Sequence, residues 1–566
     1  MALTLPTPKE WQALFDNLSR REKIYFLGFF VIALISGTFI LIAIDRDYST
    51  RVPAYGGAIT EGIVGTPRFI NPLLAISDAD RDLVRIVYAG LMKPGPDGEL
   101  VPQLAERYEV SPDGLVYTFY LRDKLFWHDG KELTADDVVF TVGLAQNPAI
   151  RSSKFAAWEG VSAEAQSPRE VRFHLKRPYA PFLGNTTLGI MPKHIWTGIS
   201  PESFPLSNYN IQPIGSGPFL IDGVTRSGDG IITSYGLSRF RKYTPSTAYL
   251  DTFNIQFFPT EEKLTEAVQS GVVESASMEQ PNVPNGSTLT EIRMPRVFGV
   301  FFNQDTYEPL RDLALREALA KAVDRDRIIR EARGGHALAT SLPIPPGTFA
   351  HASTLESVGR DLDGARAALE KAGYKDSDGD GFIEKIKKKE KTKITFTLAT
   401  VQAPELVKTG ELLKEMWKEI GVDVTLRVFE KGDFEQSVIR PRTYDALLYG
   451  LVMGYDADPF GFWHASQIKP PGSNIARYAN PKVDKLLEDA HATTDREKRE
   501  ELYKFFQEEI AKDKPAVFLY SPSFLYVTPT YLGGMNARFI TFPQDRFSLI
   551  ESWYTDTRSV WNFLAR

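Results

Sequence analysis

The sequence predicts an α/β body carried behind one N-terminal membrane-spanning helix. Three observations predict it. After Tyr55, short runs that alternate apolar and polar residues interleave with amphipathic runs at helical spacing, as in α/β proteins. Residues 24–44 contain no charge. The chain of 566 residues is too long for a single core, so about two to four domains are expected.

The uncharged run comes first. At 1.5 Å per residue it spans roughly 31 Å, close to the hydrocarbon thickness of about 30 Å. A buried soluble helix of this length normally keeps a polar face. A cleaved signal has an apolar run of only about 7–15 residues, so residues 24–44 read as an uncleaved anchor. Arg20, Arg21 and Lys23 precede the run and Asp45, Arg46 and Asp47 follow it. The excess of cations before it puts residues 1–23 in the cytoplasm and the rest outside, a single-pass arrangement. Within the leader, Thr7, Pro8 and Glu10 read as an N-cap, a first-turn proline and a capping-box acid. Trp11, Leu14, Phe15 and Leu18 share one face, so the leader is either a short amphipathic helix on the inner membrane surface or a disordered tail. Residues 45–54 are expected as a linker that reaches at most roughly 35 Å and keeps the body near the membrane.

In the body, Thr134 and Asp137 open a helix with a capping pair, and Leu315, Ala318, Leu319 and Ala322 form a helical stripe. Ile394, Phe396 and Leu398 alternate as a strand. Leu406, Gly410, Leu413, Trp417 and Ile420 mark a helix that Gly421 ends, and residues 422–428 alternate as the next strand. Val483, Leu486, Leu487 and Ala490 mark a further helix, and Leu502, Phe505 and Phe506 the one after it. The lysine-rich run 385–393 reads as a solvated hairpin or loop edge.

Composition narrows the chemistry. There are no cysteines, which excludes disulfides, a thiolate nucleophile, Cys-bound zinc and lipid attachment through an N-terminal Cys. The formal charge of −6 offers no basic excess for nucleic acid. Aromatic content of 12% suits a ligand held between rings and equally suits a large core. The seven histidines show no zinc spacing, and there is no phosphate loop, dinucleotide fingerprint or nucleophile elbow, so the chain is not expected to be an enzyme. Gly215-Ser216-Gly217-Pro218 reads as a tight turn. Asp376, Asp378, Asp380 and Glu384 occupy positions 1, 3, 5 and 9 of an EF-hand-like loop with Gly381 at position 6. Lys387 stands at position 12 in place of a bidentate Glu, so the alternatives are a weak Ca²⁺ loop and a polar turn with no ion.

Several ordered segments resemble family 5 extracellular solute-binding proteins, the receptors of peptide and nickel ABC importers. They include Gly56-Gly57, Pro67-Arg-Phe-Ile-Asn71-Pro72, Leu100-Val-Pro-Gln-Leu-Ala-Glu106 and Ser111-Pro-Asp-Gly-Leu-Val-Tyr-Thr-Phe119. Phe126-Trp-His-Asp-Gly130, Ile214-Gly-Ser-Gly-Pro-Phe219, Phe302-Asn303, Tyr444-Asp445, Asp458-Pro459 and the run from Asn474 to Asp484 follow in the family's order. The resemblance implies a two-lobed periplasmic-binding-protein-like fold of the class with an extra domain, with mixed sheets and a hinge of two crossover strands. Lobe I would comprise residues 55–96, 209–296 and 521–566, the extra domain 97–208, and lobe II 297–520. The implied function is a membrane-anchored, monomeric receptor that closes on a peptide-like solute and delivers it to ABC permease and ATPase subunits. The alternatives are an anchored sensor or peptide chaperone of the same fold, or a receptor for a non-peptide ligand such as an oligosaccharide.

By resemblance, an extended peptide would lie between two short strands, one of Ala75, Ile76, Ser77 and Asp78, the other of Leu451, Val452, Met453 and Gly454. Main-chain hydrogen bonds would supply affinity, and water would adapt the side-chain pockets. Peptide receptors of this family hold the ligand's α-ammonium with an Asp three residues before the Asp-Pro acid, here Asp458. That position is Tyr455, whose phenol is neutral at pH 7, beside Asp456. Either Asp456 serves instead or the ligand lacks a free amine. Phe460, Phe462 and Trp463 are candidate stacking walls, and Asn303 a candidate polar contact.

Overall fold

The computed structural model describes residues 7–387 and 390–562. They form two compact units, one of residues up to Gly56 together with those from Tyr554, the other Gly57–Trp553.

In the smaller unit, helix Pro8–Asp16 begins as its sequence requires: the Thr7 N–H donates to Glu10 Oε2 at 2.7 Å. Trp11, Leu14 and Phe15 are exposed. Helix Arg20–Tyr48 follows after a second capping box, made by Ser19 and Glu22, and none of its residues is buried. It is long and apolar enough to cross a membrane. The expected linker of residues 45–54 needs correction. The helix runs on to Tyr48, and Ser49–Pro53 pairs antiparallel with Thr557–Trp561. Residues 554–562 therefore belong with the smaller unit and not with lobe I. The cause is pairing between segments some 500 residues apart, which satisfies backbone groups that an extended linker would leave to water.

The larger unit is organised by a twelve-stranded mixed sheet. Arg296–Phe302, Ala446–Val452, Thr395–Val401 and Asp423–Phe429 lie on one side of its long strand Ala516–Pro529. Ser275–Ser277, Ala58–Val64, Thr252–Phe258, Ile232–Arg239 and Phe219–Arg226 lie on the other. The last two strands of the first group run parallel, as do Ala58–Val64 and Thr252–Phe258. The long strand serves both lobes. Its residues 516–520 pair with Arg296–Phe302, and its residues 523–529 pair with Ser287–Arg293. The chain thus crosses between lobes at 294–295 and again at 521–522, the two-crossover arrangement the resemblance implies. Each lobe keeps its own apolar core. Leu319, Trp417 and Leu448 lie in one, and Ile59, Phe253 and Trp553 in the other.

The helix expected to end at Gly421 spans Pro404–Lys418, and Gly421 adopts φ +77° beyond it. Gly410 brings that helix close to strand Asp423–Phe429, where a Cβ would stand 2.6 Å from Leu426 Cδ1 and make that side chain shift. Helix Arg496–Asp513 buries Tyr503, Phe506 and Ile510 but leaves Phe505 exposed, one position off the expected stripe. The lysine-rich run forms hairpin strands Glu384–Lys387 and Glu390–Lys393, with residues 388–389 outside the described residues.

A third layer, the antiparallel sheet of Ala105–Val110, Val116–Leu121, Glu170–His174 and Ser162–Ser167, packs on its own core around Trp127 and Phe173. His128 ties it to lobe I. The Gly215 N–H donates to His128 Nδ1 at 3.2 Å, and His128 Nε2 lies 3.1 Å from the Gly217 carbonyl oxygen. The two bonds together require the neutral tautomer with hydrogen on Nε2. The glycines of this turn do more than bend the chain. The Gly217 N–H donates to Val87 O at 2.8 Å, and a Cβ on Gly215 would stand 2.0 Å from that oxygen.

The tail of the body is locked to its start by a buried cluster. Arg546 donates to both oxygens of Asp82, at 2.9 and 2.7 Å, and to Glu61 at 3.0 Å, and Tyr526 Oη donates to Glu61 at 2.8 Å. The three charged side chains are 0–3 % exposed.

Two outcomes are expected. Arg546→Met leaves two buried carboxylates without a counter-ion and should cost about 3–5 kcal/mol in urea unfolding; a loss under about 1 kcal/mol would disprove the role. Burial pushes the His128 imidazole down to about 4, below its unfolded value of about 6.5. Its contribution to stability is therefore complete above about pH 6.5 and is lost as pH falls through about 4. His128→Gln should flatten the fall in urea midpoint across that window, and an unchanged slope would exclude the assignment.

Candidate ligand-binding cleft

A cavity of about 590 Å³ opens between the lobes and the third layer. Its walls come from Pro72–Tyr88 residues of lobe I, from residues 154–189 of the third layer, from 452–462 of lobe II, and from Phe542 and Gln544.

Strand Ala446–Val452 ends at the cavity, and the chain then leaves the sheet. The Met453 N–H donates to Pro295 O at 2.9 Å, and Gly454 turns with φ +72°. This turn carries Val452, Met453, Gly454, Tyr455, Asp456 and Asp458 into the wall, together with Gly461 and Phe462. Ala75 also lines it.

The other expected contacts lie elsewhere. Residues 75–78 are not a strand: Ser77 caps helix Asp78–Val87 by accepting from the Asp80 N–H at 3.1 Å, Asp78 pairs with Arg81, and Ile76 is exposed. Capping chemistry overrode the extended reading, since Ser followed three residues later by Asp nucleates a helix. Leu451 points into the lobe II core, as alternation along the strand requires, and is 3 % exposed. Trp463 is fully buried in the same core. Phe460 is stacked between His464 and His491, at 4.2 Å from each ring. Asn303 is buried at a strand end, where its Nδ2 donates to Arg442 O and its Oδ1 accepts from the Asp305 N–H.

Every acid of the cleft already has donors. Asp456 receives both arms of Arg499 at 2.7 Å. Desolvation raises its carboxyl above the ordinary value, against the pull of Arg499. Asp458 accepts from the Phe460 N–H at 3.0 Å and lies 2.6 Å from His491 Nε2. Tyr455 reaches across to lobe I. Its Oη donates to Asp545 Oδ1 at 3.0 Å and accepts from Arg85 NH2 at 3.0 Å, while Arg85 also donates to Asp545 at 2.8 Å. Burial, reinforced by Asp545, pushes the Tyr455 phenol up, so it stays protonated. The cationic groups Arg81, Arg85 and Lys154, with Tyr88 and Trp158, complete a wall that sequence reasoning missed. Arg81 and Arg85 sit one turn apart on helix Asp78–Val87, a spacing visible in the sequence, but nothing local marks Lys154.

The acidic loop converges as its spacing predicts: oxygens of Asp376, Asp378, Asp380 and Glu384 lie within 4.8 Å of one another. Asp376 accepts from the Gly379 and Gly381 N–H groups, Glu384 from that of Ser377, and Lys393 Nζ donates to Asp380 at 2.8 Å. The all-oxygen set suits a hard divalent cation, with Lys393 as the competitor for Asp380.

Residues 99–471 match the family model for bacterial extracellular solute-binding proteins, family 5 Middle. The chain is similar to the oligopeptide-binding protein AppA of Bacillus subtilis (strain 168), 28% identical over 520 residues that cover 89% of this chain and 93% of that protein. It is also similar to the dipeptide-binding protein of Escherichia coli (strain K12), 26% identical over 495 residues that cover 80% and 87%. The structure of AppA in complex with a nonapeptide superposes with a TM-score of 0.69 at 27% identity, covering 89% of this chain and 99% of AppA. The ABC transporter substrate binding protein CtaP from Listeria monocytogenes gives 0.76 at 26%, covering 89% and 100%.

Tyr455→Phe should loosen closure. The ring keeps its edge contact with Phe542 at 5.4 Å. The bridging hydroxyl is lost, at about 1 kcal/mol net per hydrogen bond. Fluorescent labels on the two lobes of the full-length chain should report a closed-to-open ratio reduced about fivefold or more without ligand; an unchanged distribution would mean the bridge does not hold the lobes.

Proposed function

The chain belongs to the bacterial extracellular solute-binding proteins of family 5, and we propose that it captures peptides in the inter-lobe cavity and presents them to the permease and ATPase subunits of an ABC importer. The observation that carries the proposal is the cavity itself: two lobes and a third layer enclose about 590 Å³, a volume ordinary for small-ligand sites. The printed descriptions of AppA and the Escherichia coli relative, oligopeptide- and dipeptide-binding, support peptide as the solute.

The mechanism follows from the hinge. Among the described residues only two segments cross between lobes, at 294–295 and 521–522, so rotation about them opens the cleft without breaking either core. Ligand that contacts both walls is bound better by the closed form and shifts the population toward it. The family is one of receptors and not of enzymes, and release of the solute unchanged is part of the proposal. Helix Arg20–Tyr48 is the proposed anchor, with the body outside the cytoplasm and acting as a monomer. A second reading, an anchored sensor or peptide chaperone, is favoured by the capped helix Pro8–Asp16 with its exposed Trp11, Leu14 and Phe15, a surface for a cytoplasmic or membrane contact.

The full-length chain in nanodiscs, titrated with a mixed peptide library, should show a saturable tryptophan fluorescence change at about micromolar concentration, roughly −8 kcal/mol. Trp158 lines the cavity, so Trp158→Phe should remove most of the change. Saturation by an oligosaccharide pool and not by peptides would overturn the ligand class. Co-purification with permease and ATPase separates importer from sensor, since a sensor brings down neither.

A further inference from the structure

The polarity of the cleft is one-sided. On the acceptor side, each carboxylate is engaged within the protein: Asp456 by the Arg499 fork, Asp458 by His491 and a backbone N–H, and Asp545 by Arg85 and Tyr455. A ligand ammonium could pair with one of them only by displacing a buried or half-buried protein donor, and Arg499 or Arg85 would then be left as an uncompensated charge.

On the donor side, groups remain unused. Lys154 lines the cavity and has no charge partner among the described residues. Its ammonium is lowered by desolvation and by repulsion from Arg81 and Arg85, so an incoming anion would remove a strain already present. Arg81 is held only by an exposed pair with Asp78, which contributes little. Arg85 Nε is buried without a hydrogen-bond partner, and so is the hydroxyl of Tyr88, a cavity residue 2 % exposed. Burial pushes that phenol up, so it remains a donor. A buried donor without an acceptor costs about 1–3 kcal/mol, and an oxygen-rich anionic group would satisfy two such donors at once.

We infer that the cleft selects a peptide that lacks a free ammonium and delivers a carboxylate to a basic subsite of Lys154, Arg81, Arg85 and Tyr88. This rests on the peptide reading above and specifies its ligand. The basic subsite adjoins Tyr455, whose hydroxyl accepts from Arg85 and donates to Asp545. The protein places its own cation, Arg85, against Tyr455 and Asp545, and so keeps the amine's place filled while the charge of the neighbouring wall is reversed.

The test uses four C-terminally amidated tetrapeptide pools, N-acetylated or with a free amine, and containing either Glu or Gln, with Glu as the sole source of a carboxylate, titrated by calorimetry against the full-length chain in phosphatidylcholine nanodiscs. The N-acetylated Glu pool should bind about tenfold tighter than the N-acetylated Gln pool, the scale of one charge-assisted hydrogen bond. It should also bind tighter than the free-amine Glu pool. Lys154→Gln should abolish the preference for Glu, and Lys154→Arg should restore it; Lys154 lines the cavity and belongs to none of the apolar cores, so neither substitution disturbs one. Tighter binding of a free-amine or Gln pool, or a Glu preference that survives Lys154→Gln, overturns the inference and leaves the peptide reading standing. Failure of all four pools to bind overturns both.

Discussion

A single buried guanidinium holds the body together where it matters for binding. Arg546 lies between Glu61 on the first strand and Asp82 on the helix that borders the cleft, and all three side chains are nearly inaccessible. Taken out of water, either acid alone would be expensive, and the arginine is tolerated there because it has two counter-ions and a geometry that serves both. The consequence is positional. With Arg546 fixed, its neighbour Asp545 is fixed too, and Asp545 is the group on which Arg85 and Tyr455 meet. The chain after the last crossover is therefore a structural part of the binding site.

In the proposed receptor, that placement gives closure and selectivity a common origin. The Tyr455 hydroxyl bridges from lobe II to the Arg85–Asp545 pair of lobe I and links the two walls of the cleft. The helix that supplies Arg85 also supplies Arg81 and is followed by Tyr88, and the third layer adds Lys154 to the same cavity. Hinge motion about two short crossovers can bring these donors together around a guest, while the separate apolar cores of the lobes move as rigid bodies.

Local chemistry was legible wherever the energy is local. The Thr7–Glu10 and Thr134–Asp137 capping pairs, the helix before Gly421 and the strand after it follow from hydrogen bonds and periodicities within a few residues. The two-lobed fold was legible from the ordered motif set, and the structure supplies reasons for some of those motifs. The His128 ring bonds both ends of the Gly215–Gly217 turn, and the glycines let that turn reach the Val87 carbonyl. In the cleft, the run from Val452 to Asp458 was found, but residues 75–78, expected as a short strand, lead into and cap helix Asp78–Val87, and Leu451, Trp463 and Asn303 face inward.

The amino-acid sequence by itself determined the long apolar N-terminal helix, the α/β alternation, the absence of thiol chemistry and the neutral phenol at position 455, because each depends on residue identity or short-range spacing. Only the tertiary structure decided that residues 49–53 pair with 557–561, that Arg499 occupies Asp456, and that Lys154 stands in the same cavity as Arg81 and Arg85. These are contacts between segments 40 to 500 residues apart, and no local free-energy preference encodes which of many distant partners will arrive. The charge balance of a cleft is a sum over such arrivals, which is why its sign could be read only after the chain had folded.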